Sequence, residues 1–175
     1  MSATNPTPIV WHLLPPGRKM PTPASADLLG TLLLDGYSIL TLPSDGRLAQ
    51  QFARQRPDLI HALSPSAAHC LTPLAASRTV VGPLPPVIVN CAAGERVPAA
   101  LAALLRSATV ACILATDAVT QQRLILDMGI DPTKVRLNPS DPGAIATLYR
   151  HILDSPPVQP PPPPSSAPGP RPTTP

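Results

Sequence analysis

Apolar runs of strand length recur along the chain, separated by stretches in which apolar residues are spaced as on a helix. Six of these runs predict β-strands, at residues 8–14, 38–42, 57–62, 86–91, 109–114 and 134–137. Several are apolar at nearly every position, which is typical of strands in a parallel sheet whose two faces are both covered by helices. The pattern therefore predicts a buried, mostly parallel sheet.

Helical spacing and turn residues fill the intervals between the strands. Thr116 or Asp117 can cap a helix after the fifth strand, Gly129 ends it and Pro132 keeps it from resuming. The alternation predicts an α/β fold, a Rossmann-like doubly wound sheet of about six strands with right-handed crossovers and helices on both faces. The other predicted helices cover residues 24–34 (closed by Gly36), 46–55, 66–76, 96–106 and 144–153.

Composition divides the chain into three parts. We predict a disordered N-terminus at residues 1–7, one Rossmann-like domain at residues 8–153 and a disordered tail at residues 154–175. Proline supplies 11 of the 20 residues from 156 to 175, so this tail has little apolar surface to bury and few backbone donors to pair. Its five consecutive prolines at 160–164 favour an extended polyproline conformation that an aromatic groove can bind.

Overall composition narrows the class of protein. Hydrophobic residues make up 43% of the chain and charged residues 13%, while Phe, Trp and Tyr together supply 2%, so the core must be aliphatic. The net charge of +3 comes without any run of Lys or Arg, and we expect no nucleic-acid partner. The longest apolar run falls far short of the roughly 20 residues that cross a bilayer, so we expect no integral membrane segment.

The cysteines and histidines give no sign of metal or disulfide chemistry. Cys70, Cys91 and Cys112 form no Cys-x-x-Cys pair, and the N-terminus does not read as a secretory leader. Buried, reduced thiols and a cytoplasmic location are therefore expected. His69 and His151 have no metal-ligand spacing with any cysteine or acid, so the sequence predicts neither a metal site nor a cofactor.

Candidate ligand-binding residues follow from the rule that open parallel sheets bind ligands at the carboxyl ends of their strands. His61 lies near such an end and can contact a phosphate or a sugar; the alternative is a histidine satisfied by a neighbouring backbone group. Gly17, followed by Arg18 and Lys19, can attract a phosphate after the first strand, although no Gly-x-Gly-x-x-Gly or Walker pattern is present. The catalytic residues, if there are any, are not identified by the sequence.

Two further pairs of candidates follow the fourth and fifth strands. Gly94 can offer its backbone N–H and Glu95 its carboxylate to a crevice, while a plain turn with an acidic residue at a helix start explains the same pair. Thr116 and Asp117 can hydrogen-bond a sugar or an acceptor hydroxyl, and helix capping is the other explanation for them. All four residues are candidates for ligand binding.

The segment from Ala115 to Asn138 is similar, nearly element for element, to the end of the N-terminal domain of family-four glycosyltransferases. In that family a run of the type Arg-Leu, then Gly-(Ile/Val)-x-Pro-x-Lys-Val-x-Val, leads into the interdomain hinge, and residues 123–137 carry the same order. Residues 9–15 and 32–39 resemble earlier strand entries of the same domain, and residues 56–62 closely resemble its Arg-Pro-Asp-Val-Val-His-Ala. The resemblance covers residues 8–140.

Departures from the family pattern concern its ligand site. Gly17 stands alone where the family has a Gly-Gly pair, and Ala92-Ala93 occupy the place of a donor-facing histidine. Leu63 replaces the second histidine of His-Ala-His, and residues 138–141 replace the hinge sequence Pro-Asn-Gly-Val-Asp. The family's second domain, which carries the nucleotide pocket, has no room in 175 residues.

The resemblance implies transfer of a sugar from a nucleotide-sugar donor in the crevice of a GT-B architecture. Because only the acceptor-side half is matched, we expect a protein that is incomplete or inactive alone, and that either works with a separately encoded donor domain or is an inactive remnant. The alternative is a non-catalytic Rossmann-like module that presents its tail to a polyproline-binding domain. Residues 141–153 resemble the helix that closes GT-B enzymes, and an ordinary amphipathic helix packed through Ile145, Leu148 and Ile152 explains them equally well.

Overall fold

The computed structural model describes residues 7–18, 23–45, 47–76, 83–95 and 97–155; the predictions for residues 1–6 and for the tail from Pro156 onward lie outside these ranges. Six strands form one sheet: β1 (Ile9–Leu14), β2 (Ser38–Pro43), β3 (Leu59–Ala62), β4 (Val87–Cys91), β5 (Val110–Ala115) and β6 (Val135–Leu137). Their order is β2-β1-β3-β4-β5-β6, and every neighbouring pair is parallel. The predicted six-stranded, Rossmann-like α/β fold is confirmed.

Helices connect these strands and follow the last one. No helix in the described part of the chain is long and apolar enough to cross a membrane. A short 3-10 turn, Pro132–Lys134, precedes β6. The α-helices are α1 (Pro23–Leu34), α2 (Leu48–Arg54), α3 (Pro65–His69), α4 (Thr72–Ala76), α5 (Ala99–Arg106), α6 (Ala118–Leu126) and α7 (Pro142–Asp154).

One predicted helix is split in two. The sequence predicts a single helix over residues 66–76, whereas the structure has α3 and α4 with a turn between them. Pro73 has no N–H to donate to the carbonyl of His69, so a continuous helix would leave that carbonyl without its intrahelical partner. The chain instead tightens, and the N–H of Leu71 donates to the carbonyl of Ala68 at 2.9 Å. The prediction of one helix is wrong here because it overlooked this proline.

The strand order decides which face of the sheet each helix covers. The crossover from β1 to β2 runs in one direction along the sheet, and the crossovers that lead from β2 through to β6 all run in the other. Because crossovers are right-handed, this reversal moves the connecting helices to the opposite face. Accordingly α1 packs on one face through Leu28 and Leu32, and α2 to α6 cover the other with residues such as Phe52 and Leu105.

Helix α7 returns to the face that α1 leaves mostly bare. Its Ile145, Leu148 and Ile152 are each less than a tenth exposed, which confirms the predicted packing of these residues on the sheet. Arg150 of α7 also lies 3.6 Å from the carboxylate of Asp35, just after α1. Among the described helices only α1 and α7 lie on this face, so they cover six strands incompletely.

Substitutions at two glycines test the backbone conformation at Gly129, with Gly30 as the control. Gly129 has a φ of 61° after α6, where a side chain is strained, whereas Gly30 lies within α1 with open space where a Cβ would point. We expect Gly129→Ala to lower the free energy of unfolding by about 1 kcal/mol, and Gly30→Ala to raise it by up to about 1 kcal/mol. Urea denaturation followed by circular dichroism measures both changes. Effects of the same sign would contradict the left-handed turn at Gly129.

Candidate functional site

The sheet has a topological switch point between β1 and β3. From β1 the chain crosses to β2 on one side, while β3 lies on the other side of β1. Open α/β sheets bind ligands in the crevice at such a point, beyond the carboxyl ends of the strands. Gly17 lies in the loop after β1 with a φ of 79°, and both it and Arg18 are exposed. A glycine and a cation therefore stand at the edge where a ligand is expected.

Thr116 joins the loops that follow β4 and β5. Its N–H donates to the carbonyl of Cys91 at 3.1 Å, and its hydroxyl accepts from the N–H of Ala93 at 3.0 Å. The same hydroxyl donates to the carboxylate of Asp117 at 3.0 Å. Gly94, exposed and with a φ of 70°, directly follows Ala93. The structure thus brings the candidates Gly94, Thr116 and Asp117 together.

Both acidic candidates are engaged by nearby backbone. Asp117 caps α6, because its Oδ1 accepts from the N–H of Thr120 at 2.7 Å and its Oδ2 accepts from the Thr120 hydroxyl at 3.1 Å. The backbone hydrogen bond from Thr120, followed by those from neighbouring hydroxyls, lowers the pKa of Asp117. Glu95 accepts from the N–H of Ala92 at 3.3 Å. The predicted cap at Asp117 is confirmed, and both carboxylates are occupied in loop and helix structure.

His61 lies away from the exposed edge. It is the third residue of β3, fully buried, on the face that α1 and α7 cover. Its Nδ1 is hydrogen-bonded to the hydroxyl of Tyr149 from α7, and its Nε2 lies 2.8 Å from Oδ1 of Asn90 in β4. His12 of β1 pairs with His61 in register, and its Nε2 lies 2.9 Å from the same hydroxyl. His12, His61 and Tyr149 are buried and Asn90 is half-buried; we call these four residues the histidine–tyrosine cluster.

Hydrogen-bonding capacity fixes where the protons of this cluster lie. The Asn90 oxygen can only accept, so Nε2 of His61 carries a proton and donates it. A neutral His61 ring then has a bare Nδ1, which accepts from the hydroxyl of Tyr149. That hydroxyl has one proton, so it accepts from Nε2–H of His12, whose Nδ1 is buried without a partner in the described part of the chain. The chain of donors runs from His12 to Asn90, and both rings are neutral.

Burial is the main reason why these rings stay neutral. Loss of hydration lowers the pKa of His12 to about 3, with the adjacent His61 acting in the same direction. Loss of hydration also lowers the pKa of His61 to about 4 and raises that of Tyr149 well above its usual value. Near pH 7 the cluster therefore carries no charge. It ties β1, β3 and β4 to α7 by hydrogen bonds.

Only His61 of this cluster is identified from the sequence. Its ring has internal partners, as the alternative to ligand binding predicts, but these are the side chains of Tyr149 and Asn90 and not a backbone group. The sequence does contain a sign that His12 belongs to the same buried site. It is the one polar residue in the apolar run Ile9–Leu14, as His61 is in Leu59–Ala62. Tyr149 gives no comparable signal, since its two histidine partners lie 137 and 88 residues before it.

The two sets of residues differ in what they can do chemically. The exposed edge offers the backbone of Gly17 and Gly94 and the Arg18 guanidinium, while the Thr116 hydroxyl and the carboxylates are engaged as caps and in loop hydrogen bonds. The three rings of the cluster are buried and neutral, so they do not reach a ligand at that edge. In residues 7–18, 23–45, 47–76, 83–95 and 97–155, no group of three His, Cys, Asp or Glu residues is placed to hold a metal ion. The edge suits recognition of a polar anion better than acid–base chemistry.

Comparison with known proteins adds little to this picture. No protein-family model and no curated protein sequence matches the chain. Among solved structures, the chain is similar to one described as a novel cobalamin-binding protein from Desulfitobacterium hafniense DCB-2, with 8% sequence identity and a TM-score of 0.49. The match covers 84% of this chain and 60% of that protein, so it spans less than two thirds of the latter's length. At this identity the likeness says nothing about what this chain binds.

Proposed function

We propose that this chain is a glycosyltransferase-like binding domain, which contributes the acceptor-side wall of a nucleotide-sugar site and does not transfer sugar by itself. The observation that carries the proposal is the exposed carboxyl edge at the switch point. Gly17 and Arg18 follow β1 there, and Gly94 and Thr116 lie in the loops after β4 and β5. Exposed glycine backbone beside a cation is suited to the oxygens of a diphosphate.

The state of the acidic groups argues against catalysis by this wall alone. Sugar transfer needs a general base for the acceptor hydroxyl; capping hydrogen bonds lower the pKa of Asp117, and one oxygen of Glu95 accepts from the loop N–H of Ala92. Gly17, Gly94 and Thr116 are also exposed, whereas group transfer from an activated donor needs an active site that excludes water. A second wall, from another domain or another chain, would have to supply the base and close the site.

Ligand-observed NMR of the full chain, with a panel of uridine-, guanosine- and adenosine-diphosphate sugars, tests this proposal. We expect at least one member to bind and Arg18→Gln to weaken its binding about tenfold, because a charged hydrogen bond to phosphate is lost. Arg54→Gln removes an equal, exposed charge at the end of α2, near the amino end of β3, and should leave binding unchanged. No binding at millimolar ligand, or equal weakening by the control, would rule out the proposed wall.

A second candidate function is the non-catalytic module that presents the polyproline segment 160–164 to a partner domain. The five consecutive prolines favour it, because a preformed polyproline helix loses little entropy when it binds an aromatic groove. The two functions are distinguished by deleting residues 156–175. Loss of a polyproline-binding partner, together with no nucleotide-sugar binding by the whole chain, would favour the module.

A further inference from the structure

A cavity of about 550 Å³ opens on the face of the sheet that α1 and α7 cover incompletely. It lies near the amino ends of β4 and β5, at the edge opposite the proposed nucleotide-sugar wall. Ala111 and Cys112 of β5 line it from the sheet, and Leu148 and Ile152 line it from α7. The strand order accounts for the opening, since α2 to α6 all pack on the other face.

The cavity's rim is cationic. Arg56 and Arg136 line it, and none of the described residues that line it is an aspartate or a glutamate. Arg56 is held in place by a hydrogen bond to the carbonyl of Pro83 and by the ring of Phe52, 5.6 Å from its guanidinium carbon. Arg136 is exposed and forms no ion pair with any carboxylate in the described ranges. Its charge is therefore available to a ligand.

Arg136 lies beside the apolar floor of the cavity, which includes Cys112. The Cys112 side chain is 2% exposed, and this burial raises the pKa of its thiol to about 11. Arg136 lines the same cavity from β6, the strand that pairs with β5. An apolar floor and an unpaired cation thus lie side by side.

We propose that this cavity binds a small organic anion, with its apolar body against Ala111, Leu148 and Ile152 and its carboxylate or phosphate beside Arg136. Cavities of roughly 300 to 1,000 Å³ with apolar linings and a few charged groups are typical small-molecule sites. The chain's own tail does not match the rim, because residues 156–175 carry Arg171 and no acidic side chain. The proposal is independent of the nucleotide-sugar wall, which lies at the other edge of the sheet.

The experiment is a two-dimensional amide NMR titration of the full chain with octanoate, octan-1-ol and octyltrimethylammonium, each below its micelle concentration. We expect saturable shifts with octanoate at Ala111, Cys112 and Ile152, and at least about tenfold weaker binding of the alcohol and the cation. Arg136→Gln should weaken octanoate binding about tenfold. Arg47→Gln, which removes an exposed charge before α2, is the matched control and should not.

A cavity-filling variant adds a second test. Ala111 is exposed on β5, so Ala111→Trp should fill the space without entering the core, and it should abolish octanoate binding. If that variant does not fold, Arg136→Glu on the surface should abolish binding through charge reversal. Equal affinity for octanoate and octan-1-ol, or unchanged affinity in Arg136→Gln, would overturn the proposal. A third result would also overturn the proposal: the unmodified chain self-associates, does not bind octanoate, and loses its self-association in Ala111→Trp. The cavity would then be occupied by a second copy of the chain.

Discussion

Tyr149→Phe is expected to lower the free energy of unfolding by about 3 kcal/mol, although it removes a single oxygen atom. That oxygen accepts from His12 and donates to His61 in a site where both rings are buried. Without it, two polar ring atoms lose their partners and have no water to replace them. Each buried, unsatisfied polar atom costs about 1 to 3 kcal/mol, so the two losses together exceed the usual effect of a conservative change. Urea denaturation near pH 7.5 measures the difference.

Tyr37→Phe is the matched control for this prediction. Tyr37 packs edge-on against Tyr149 with ring centroids 6.0 Å apart, so the control removes the same atom from an adjacent ring on the same face. Its hydroxyl lies toward the partly exposed pair of Arg150 and Asp35, where solvent can replace a lost partner. We expect a loss below about 1 kcal/mol. Equal losses for the two variants would show that the histidine–tyrosine cluster does not hold α7 in place.

The cluster also explains how α7 is held on a face that few helices cover. An amphipathic helix can slide or rotate on an aliphatic sheet, because apolar contacts are not directional. Hydrogen bonds from one hydroxyl to rings on two adjacent strands fix both the rotation of α7 and its position along β1 and β3. The same hydrogen bonds hold Leu148 and Ile152 of α7 beside the open cavity.

Helix ends and strands that are specified by residues close together in the chain could be predicted from the sequence. Gly36 ends α1 with a φ of 85°, Asp117 caps α6, and Gly129 ends that helix, as expected from residue type and spacing. These features depend on steric and hydrogen-bonding preferences that act locally. The same reasoning applies to the strands, whose apolar runs are long enough to identify each one. The missed break before Pro73 was also local and could have been predicted.

The buried cluster could not be predicted in the same way. Tyr149 lies 137 residues from His12, and the meeting of the two depends on which face of the sheet α7 covers. The face that α7 covers depends on the direction of every crossover in the sheet. These directions leave α1 as the other described helix on that face. Likewise the place of His61 in β3 could be inferred, but the choice between a ligand contact and an internal partner depends on the helix that packs above it. Long-range packing decided both outcomes.

Lowering the pH from 7.5 to 5.0 is expected to reduce the free energy of unfolding by about 4 kcal/mol. In the unfolded chain His12 and His61 titrate near 6.5, whereas in the folded protein burial lowers their pKa values to about 3 and about 4. Between these values the unfolded chain binds more protons than the folded one, so stability falls as the pH drops below 6.5. Each histidine contributes about 2 kcal/mol at pH 5.0, since 1.5 pH units separate that pH from 6.5.

His61→Gln separates the titration of this cluster from its hydrogen bonds. A glutamine can accept from Tyr149 through its oxygen and donate to Asn90 through its nitrogen, and it does not titrate. We therefore expect this variant to fold and to lose only about 2 kcal/mol between pH 7.5 and 5.0, the share of His12. His69→Gln changes an exposed histidine of α3 and should keep the full loss of the unmodified chain. A free energy of unfolding that stays constant over this range in the unmodified chain would mean that water reaches both rings, and that α7 does not close over them.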